Sequence, residues 1–155
     1  MKIIFSLAAL FSFFAASPPD SAWQTLNQLK FSIKHDVDLD DVIFTPKPNQ
    51  SIKQLVGKEI VIDGYEAEIW SIGGDKSAPN AILFCQYEQK GFSCCSHIGA
   101  ESYVELLPKE KINLEKGKKY LFKGKLVLNT EDHLRLPYLL ENAECLNCSE
   151  LESEK

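Results

Sequence analysis

The stretch Ala81-Ile-Leu-Phe-Cys-Gln-Tyr-Glu-Gln-Lys-Gly-Phe-Ser-Cys-Cys-Ser-His-Ile-Gly-Ala-Glu-Ser-Tyr-Val-Glu-Leu-Leu107 sets the reading of the whole chain. An apolar run from Ala81 to Cys85 leads into a polar, glycine-containing turn, and a second run follows from Tyr103 to Leu107. Short apolar runs bounded by turn residues predict β-strands. The turn also carries Cys94, Cys95 and His97. With Cys85, three of the five cysteines and one of the three histidines fall between positions 85 and 97.

Outward from this pair, the period stays that of strands. Lys58 to Ile69 alternates apolar and polar residues around Gly64, and Lys119 to Leu128 does so around Gly124. A glycine inside a strand suggests a bulge or a sharp coil, because the missing side chain lets the strand bend. Leu134 to Cys145 reads as a fifth strand, with Pro137 placing its start at an edge. Ser71 to Pro79 is a loop without the spacing of a phosphate loop, and Pro108 to Gly117 is a charged connection. Five long strands and glycine-bent partners predict a mainly β fold, a small five-stranded OB-like barrel. Lipocalin-like barrels and sandwiches need more strands than the chain supplies.

Before the barrel, Asp20 and Ser21 are candidate caps for a short N-terminal helix, with Trp23, Leu26 and Leu29 on one face. Phe31 and Ile33 alternate as in a brief strand. His35 to Asp41 resembles a calcium loop, but Asp41 stands where the EF-hand needs glycine and Lys47 where it needs glutamate, so it reads as an acidic turn. Phe44-Thr-Pro-Lys-Pro48 is a rigid, extended lead-in, and Ser51 to Leu55 a helical turn ending at Gly57.

Composition places the chain among globular proteins, with 155 residues, 45% hydrophobic and 25% charged. Seventeen basic against 22 acidic side chains give a net charge of -5, and Arg135 is the single arginine. Phosphate contacts dominate nucleic-acid affinity, so this balance argues against such a partner. Lys2 followed by the apolar run Ile3 to Ala16 has the form of a secretory leader, with a cleavage zone at Ala15, Ala16 and Ser17. The run is short for a membrane span, which needs ~20 residues, so the processed chain is not expected to be an integral membrane protein. The expected organisation is a signal peptide over residues 1–18, one barrel domain over 19–148 and an acidic tail over 149–155. The expected location is the periplasm or cell envelope.

Export favours disulfides, and an odd cysteine count leaves at least one thiol over. Two chemistries compete. If the strands on either side of the turn pair, Cys85 comes near Cys94, Cys95 and His97, and this thiolate and imidazole set suits zinc, with copper(I) the alternative. The disulfide reading pairs Cys85 with Cys94 or Cys95, and Cys145 with Cys148. A third grouping joins Cys94-x-x-His97 to Cys145-x-x-Cys148. It ranks lower, because the usual parallel pairing of the third and fifth strands puts the two halves at opposite barrel ends, about 15–20 Å apart. Catalysis is not expected: His97 follows Cys95 too closely, with no third group to orient it. Cys145-x-x-Cys148 also lacks the βαβ setting of a thiol oxidoreductase.

Five segments resemble an exported bacterial family, that of domain of unknown function 3299. They are Trp23-Gln-Thr-Leu26, Phe44-Thr-Pro-Lys-Pro48, Leu55-Val-Gly-Lys-Glu-Ile-Val-Ile-Asp-Gly-Tyr65, Cys94-Cys-Ser-His-Ile-Gly-Ala-Glu-Ser102 and Tyr120-Leu-Phe-Lys-Gly-Lys-Leu126. The cysteine turn is the specific piece. Members carry a Cys-Cys or Cys-x-x-Cys pair there, whose second cysteine corresponds to Cys95; Phe92 stands where the Cys-x-x-Cys form has its first. The resemblance implies a small exported accessory protein, some relatives being associated with envelope transport systems that include zinc-linked ones. No activity is established for the family. Two functions are therefore expected: a non-enzymatic accessory protein with a metal-binding turn, or a disulfide-stabilised adaptor that binds another envelope protein or a peptide.

Overall fold

A computed structural model describes residues 22–36, 41–67, 80–89, 99–132 and 135–148. Five strands close a barrel: β3 (Glu59–Glu66), β4 (Ile82–Cys85), β5 (Tyr103–Leu107), β6 (Lys119–Leu128) and β7 (Tyr138–Cys145). Ahead of them lie α1 (Trp23–Leu26), a separate two-stranded ribbon of β1 (Lys30–Asp36) and β2 (Asp41–Lys47), and α2 (Gln50–Leu55). Around the barrel the order is β3-β4-β5-β7-β6, and β5 pairs parallel with β7 while every other pair is antiparallel. This is the order of an OB-like barrel, as the strand pattern predicts.

Alternation decides which side chains fill it. Ile60 and Ile62 of β3 and Tyr120, Phe122 and Leu126 of β6 point inward and are buried with Phe84, Val104, Leu106 and Leu140. Phe84 and Phe122 meet edge to face, centroids 5.3 Å apart, the geometry favoured by the ring quadrupoles. The two strand glycines sit at inward positions of the same alternation. A Cβ on Gly64 would run into the carbonyl oxygen of Cys85, and one on Gly124 would lie 2.8 Å from Leu140 Cγ and 2.9 Å from the Glu141 carbonyl. Both therefore permit close strand approach. The bulge lies elsewhere, in β7: Lys123 opposes Glu144 and Lys125 opposes Glu141, so Asn142 and Ala143 together face Gly124. Asn142 takes the positive φ of 52° that this bulge requires.

Helix α1 belongs to the core. Trp23 and Leu26 are fully buried, the Trp23 indole N–H donates to the Asp63 carbonyl at 2.6 Å, and the Tyr138 hydroxyl donates to the Leu26 carbonyl at 2.8 Å. Its N-cap residue is Ala22, without a side-chain cap, and Asp20 and Ser21 lie outside the described residues. Helix α2 is capped by Asn49, whose Oδ1 accepts from the Ile52 N–H at 2.9 Å. It closes through Gly57 at φ 80°.

The ribbon corrects the reading of residues 30–47. The brief strand at Phe31 and the extended lead-in at Phe44 are two paired arms, with Phe31 opposite Pro46 and Ile33 opposite Phe44. Pro46 has no N–H to donate, and a strand of an isolated pair, free on its outer side, tolerates that loss. Among the described residues no helix is long and apolar enough to cross a membrane, and residues 1–21 lie outside them.

Candidate functional site

The sequence-predicted site divides into parts with different fates. Cys94, Cys95 and His97 lie outside the described residues. Cys85, at the end of β4, is a free thiol and fully buried, packed with Ala67, Tyr103 and Leu136. Burial pushes its thiol above the ordinary range, although the Tyr87 N–H donates toward the sulfur at 3.5 Å. The expected disulfide from Cys85 to Cys94 or Cys95 is thus not formed, since the side chain is enclosed in an apolar cluster. Burial in this apolar cluster disfavours the thiolate that a metal ligand has to supply. Among the described residues no group of three or more histidine, cysteine or acidic side chains converges on a metal site.

Cys145 and Cys148 form the expected local disulfide, their Cα atoms 5.7 Å apart. That pairing consumes both thiols of the Cys145-x-x-Cys148 half and removes the third grouping. The loop they close also fastens the start of β6. Asn147 Oδ1 accepts from the Leu121 N–H at 2.9 Å, and the Leu146 N–H donates to the Leu121 carbonyl at 2.8 Å.

A cleft forms where sequence motifs give no sign of one. It holds about 440 Å³ and is lined by three segments: the ribbon (Phe31, Phe44, Pro46), the 3-10 turn before β5 (Gly99, Ala100, Glu101), and the β6–β7 connection, among it Asn129, Asp132, Arg135, Leu136 and Pro137. The ribbon register explains its apolar side. Directly opposed residues share a face, as do residues two apart. Phe31, Ile33, Phe44 and Pro46 therefore lie on one face, and Lys30, Lys47, Ser32 and Thr45 on the other. Pro46 is buried, but Phe44 is 56% and Ile33 70% exposed, so this apolar face continues out of the cleft into solvent. Adjacent exposed apolar side chains of this size mark interaction surfaces more often than isolated ones do.

The opposite wall is fixed by polar bonds. Asn129 organises the β6–β7 connection: its Nδ2 donates to the Asp132 and Leu136 carbonyls, and its Oδ1 accepts from the Asp132 N–H at 3.0 Å. Leu136 and Pro137 are buried behind it. Arg135 reaches back to Glu105 on β5, donating from Nε at 3.0 Å and Nη2 at 2.6 Å. Glu105 is only 7% exposed, so this bidentate pair matches a buried carboxylate with the chain's single arginine. The carboxylate raises the guanidinium's affinity for its proton further. The Asp132 carboxylate acts on the same guanidinium.

The sequence signal for this site was the alternation of 31/33 and 44/46 together with a lone arginine, and neither points to the other without the tertiary structure. Comparison with family models, with curated proteins and with solved structures finds no match.

Proposed function

We propose that the chain is an exported, non-enzymatic accessory domain of the cell envelope that holds an extended segment of another envelope protein in the cleft between the ribbon and the β6–β7 connection. The observation that carries this reading is the exposed apolar face of the ribbon, Ile33 and Phe44, continuous with a cleft of about 440 Å³. Its rear wall is held by the Arg135–Glu105 pair. A rigid wall opposite an apolar face suits a ligand bound mainly by side-chain burial. The Cys145–Cys148 bond accords with the export half of the proposal, since structural disulfides persist in oxidising compartments. The likeness to the exported family of domain of unknown function 3299 belongs to the same half. The test is selection from a random 12-residue peptide library. Selected peptides are expected to bind the native domain and to lose binding to Phe44→Ser, which alters a side chain already in solvent. Absence of binders, or binding indifferent to Phe44, overturns the reading.

One observation favours a second activity in the turn. Cys85 is unpaired and Cys145 is joined to Cys148, so none of these cysteines consumes Cys94 or Cys95. Cys94, Cys95 and His97 are accordingly proposed as donors for zinc, or for copper(I), without Cys85. Chelator competition on reduced protein checks this. Cys95→Ser should weaken uptake at least tenfold and Cys148→Ser should not; absence of uptake by the reduced native chain ends the metal proposal.

A further inference from the structure

The ribbon keeps an open edge, and we propose that two copies of this chain pair through it. In that dimer β1 of one copy lies antiparallel to β1 of the other about a two-fold axis at Ile33, and the two ribbons become one four-stranded sheet. The pairing stands apart from the cleft reading, because it uses the edge of the ribbon and not its apolar face.

The ribbon is a separate two-stranded sheet, with no third strand beside β1. Among the described residues, β1 makes no backbone bonds except those to β2, and only β2 packs extensively against it. A two-stranded ribbon is marginal in water by itself, and the unpaired N–H and C=O groups along its edge are a template for a further strand. The edge of β2 is the poorer template, because Pro46 has no N–H to offer. Ile33, at the middle of β1, is 70% exposed.

The sequence of β1 selects a second copy as the added strand. In a symmetric antiparallel pair, opposed residues share a face, so the axis passes through a residue and not between two. An axis at Ser32 sets Lys30 against Lys34 of the second copy, and an axis at Lys34 sets the two Lys34 residues against each other. Like charges directly opposed are destabilising. An axis at Ile33 avoids both: it pairs all 7 residues of the strand, sets Ile33 against itself, and puts Lys30 at the register position of Asp36 in the second copy. The ribbon itself gives Lys30 a like-charged neighbour, Lys47. Both lysines are exposed, and among the described residues neither has an ion pair. The second copy thus brings an acidic residue to each Lys30, twice per dimer.

The experiment is sedimentation equilibrium on the exported chain, its leader removed, its disulfide intact and its reactive thiols alkylated. A reversible dimer should form with rising concentration; a chain still monomeric at about 1 mM overturns the proposal. Lys30→Glu and Asp36→Lys, each alone, oppose like charges at two positions and should weaken association about tenfold at low salt. Combining the two should restore it, and no recovery in the double variant overturns the register. Ile33→Lys sets two lysines on the axis and should abolish the dimer, whereas Phe44→Ser, off the paired edge, should leave it intact. Loss in Phe44→Ser with indifference to Lys30→Glu means that the copies meet by their apolar faces, which overturns edge pairing. Matching circular dichroism of native and variant chains ties each loss to the edge and not to unfolding.

Discussion

Asn142 shows how one residue fixes a piece of the barrel. Its φ of 52° lies where a side chain beyond asparagine or glycine costs roughly 1–2 kcal/mol. Asn142→Gly should leave stability within about 0.5 kcal/mol, whereas Asn142→Val should lower it by about 1–2 kcal/mol in urea denaturation. A valine variant as stable as the native chain would show that the bulge is not needed. Arg135 carries a larger load. Arg135→Ala leaves the Glu105 carboxylate buried without its partner, a loss of about 3–5 kcal/mol. Replacing both, Glu105→Leu with Arg135→Met, should recover most of it, because the apolar pair has no charge to desolvate. Cys85 and Tyr103 make the molecule sensitive to alkali. Burial raises both acids, so the folded protein holds protons that the unfolded chain releases. Their contribution is complete below the thiol's ordinary 9.0 and is lost as pH rises through the raised folded values. The urea midpoint should fall with pH above 9.0, and less steeply in Cys85→Ala.

Among the elements, β6 and β7 approach closely at Gly124. A methyl added at Gly124 meets Leu140 and the Glu141 backbone. Overpacking of this kind costs about 1–3 kcal/mol, and Gly124→Ala should show it as a lowered denaturation midpoint. Gly64→Ala should cost at least as much, because its methyl runs more closely into the backbone carbonyl of Cys85 than that of Gly124 does into its neighbours. A neutral Gly64→Ala would mean that β3 and β4 separate more easily than their crossing implies. These two glycines were legible in the sequence as interruptions of clean alternation, and so were the five barrel strands they bend. The ribbon was legible only as fragments. Two prolines and an acidic run hid the pairing of Phe31 with Pro46, because local pattern reports a strand's period and not its partner. The bulge at Asn142 had only the asparagine itself as a sign, a residue that strands disfavour and positive φ favours, with nothing in the local pattern to mark the extra residue. The cleft was illegible for a related reason: Phe31, Phe44 and Pro46, the turn at 99–101, and Asn129, Arg135 and Pro137 stand far apart in the chain, and only the tertiary structure brings them together.

At the scale of the molecule, the leader proposed from the sequence has to end before Trp23, the first buried residue of the described fold. A secretory leader must be removed without removing anything the fold needs, and the fold needs α1: Trp23 and Leu26 are 0% exposed and bond to Asp63 and Tyr138 of the barrel. This sets an inner limit for processing. Cleavage within the zone after Ala15 leaves the helix whole, and cleavage past residue 23 destroys it. A chain beginning at residue 20 should therefore melt with one beginning at residue 18. A chain beginning at residue 27 loses both buried side chains, on the order of 5 kcal/mol or more. That loss is comparable to the entire stability of an ordinary domain, so the near-ultraviolet dichroism of the packed aromatics should disappear. Intact mass of the processed protein should place its first residue between 16 and 23. Recovery of the chain with Met1 still attached from the soluble envelope fraction would refute processing. A residue-27 start as stable as the longer chains would refute the part assigned to α1.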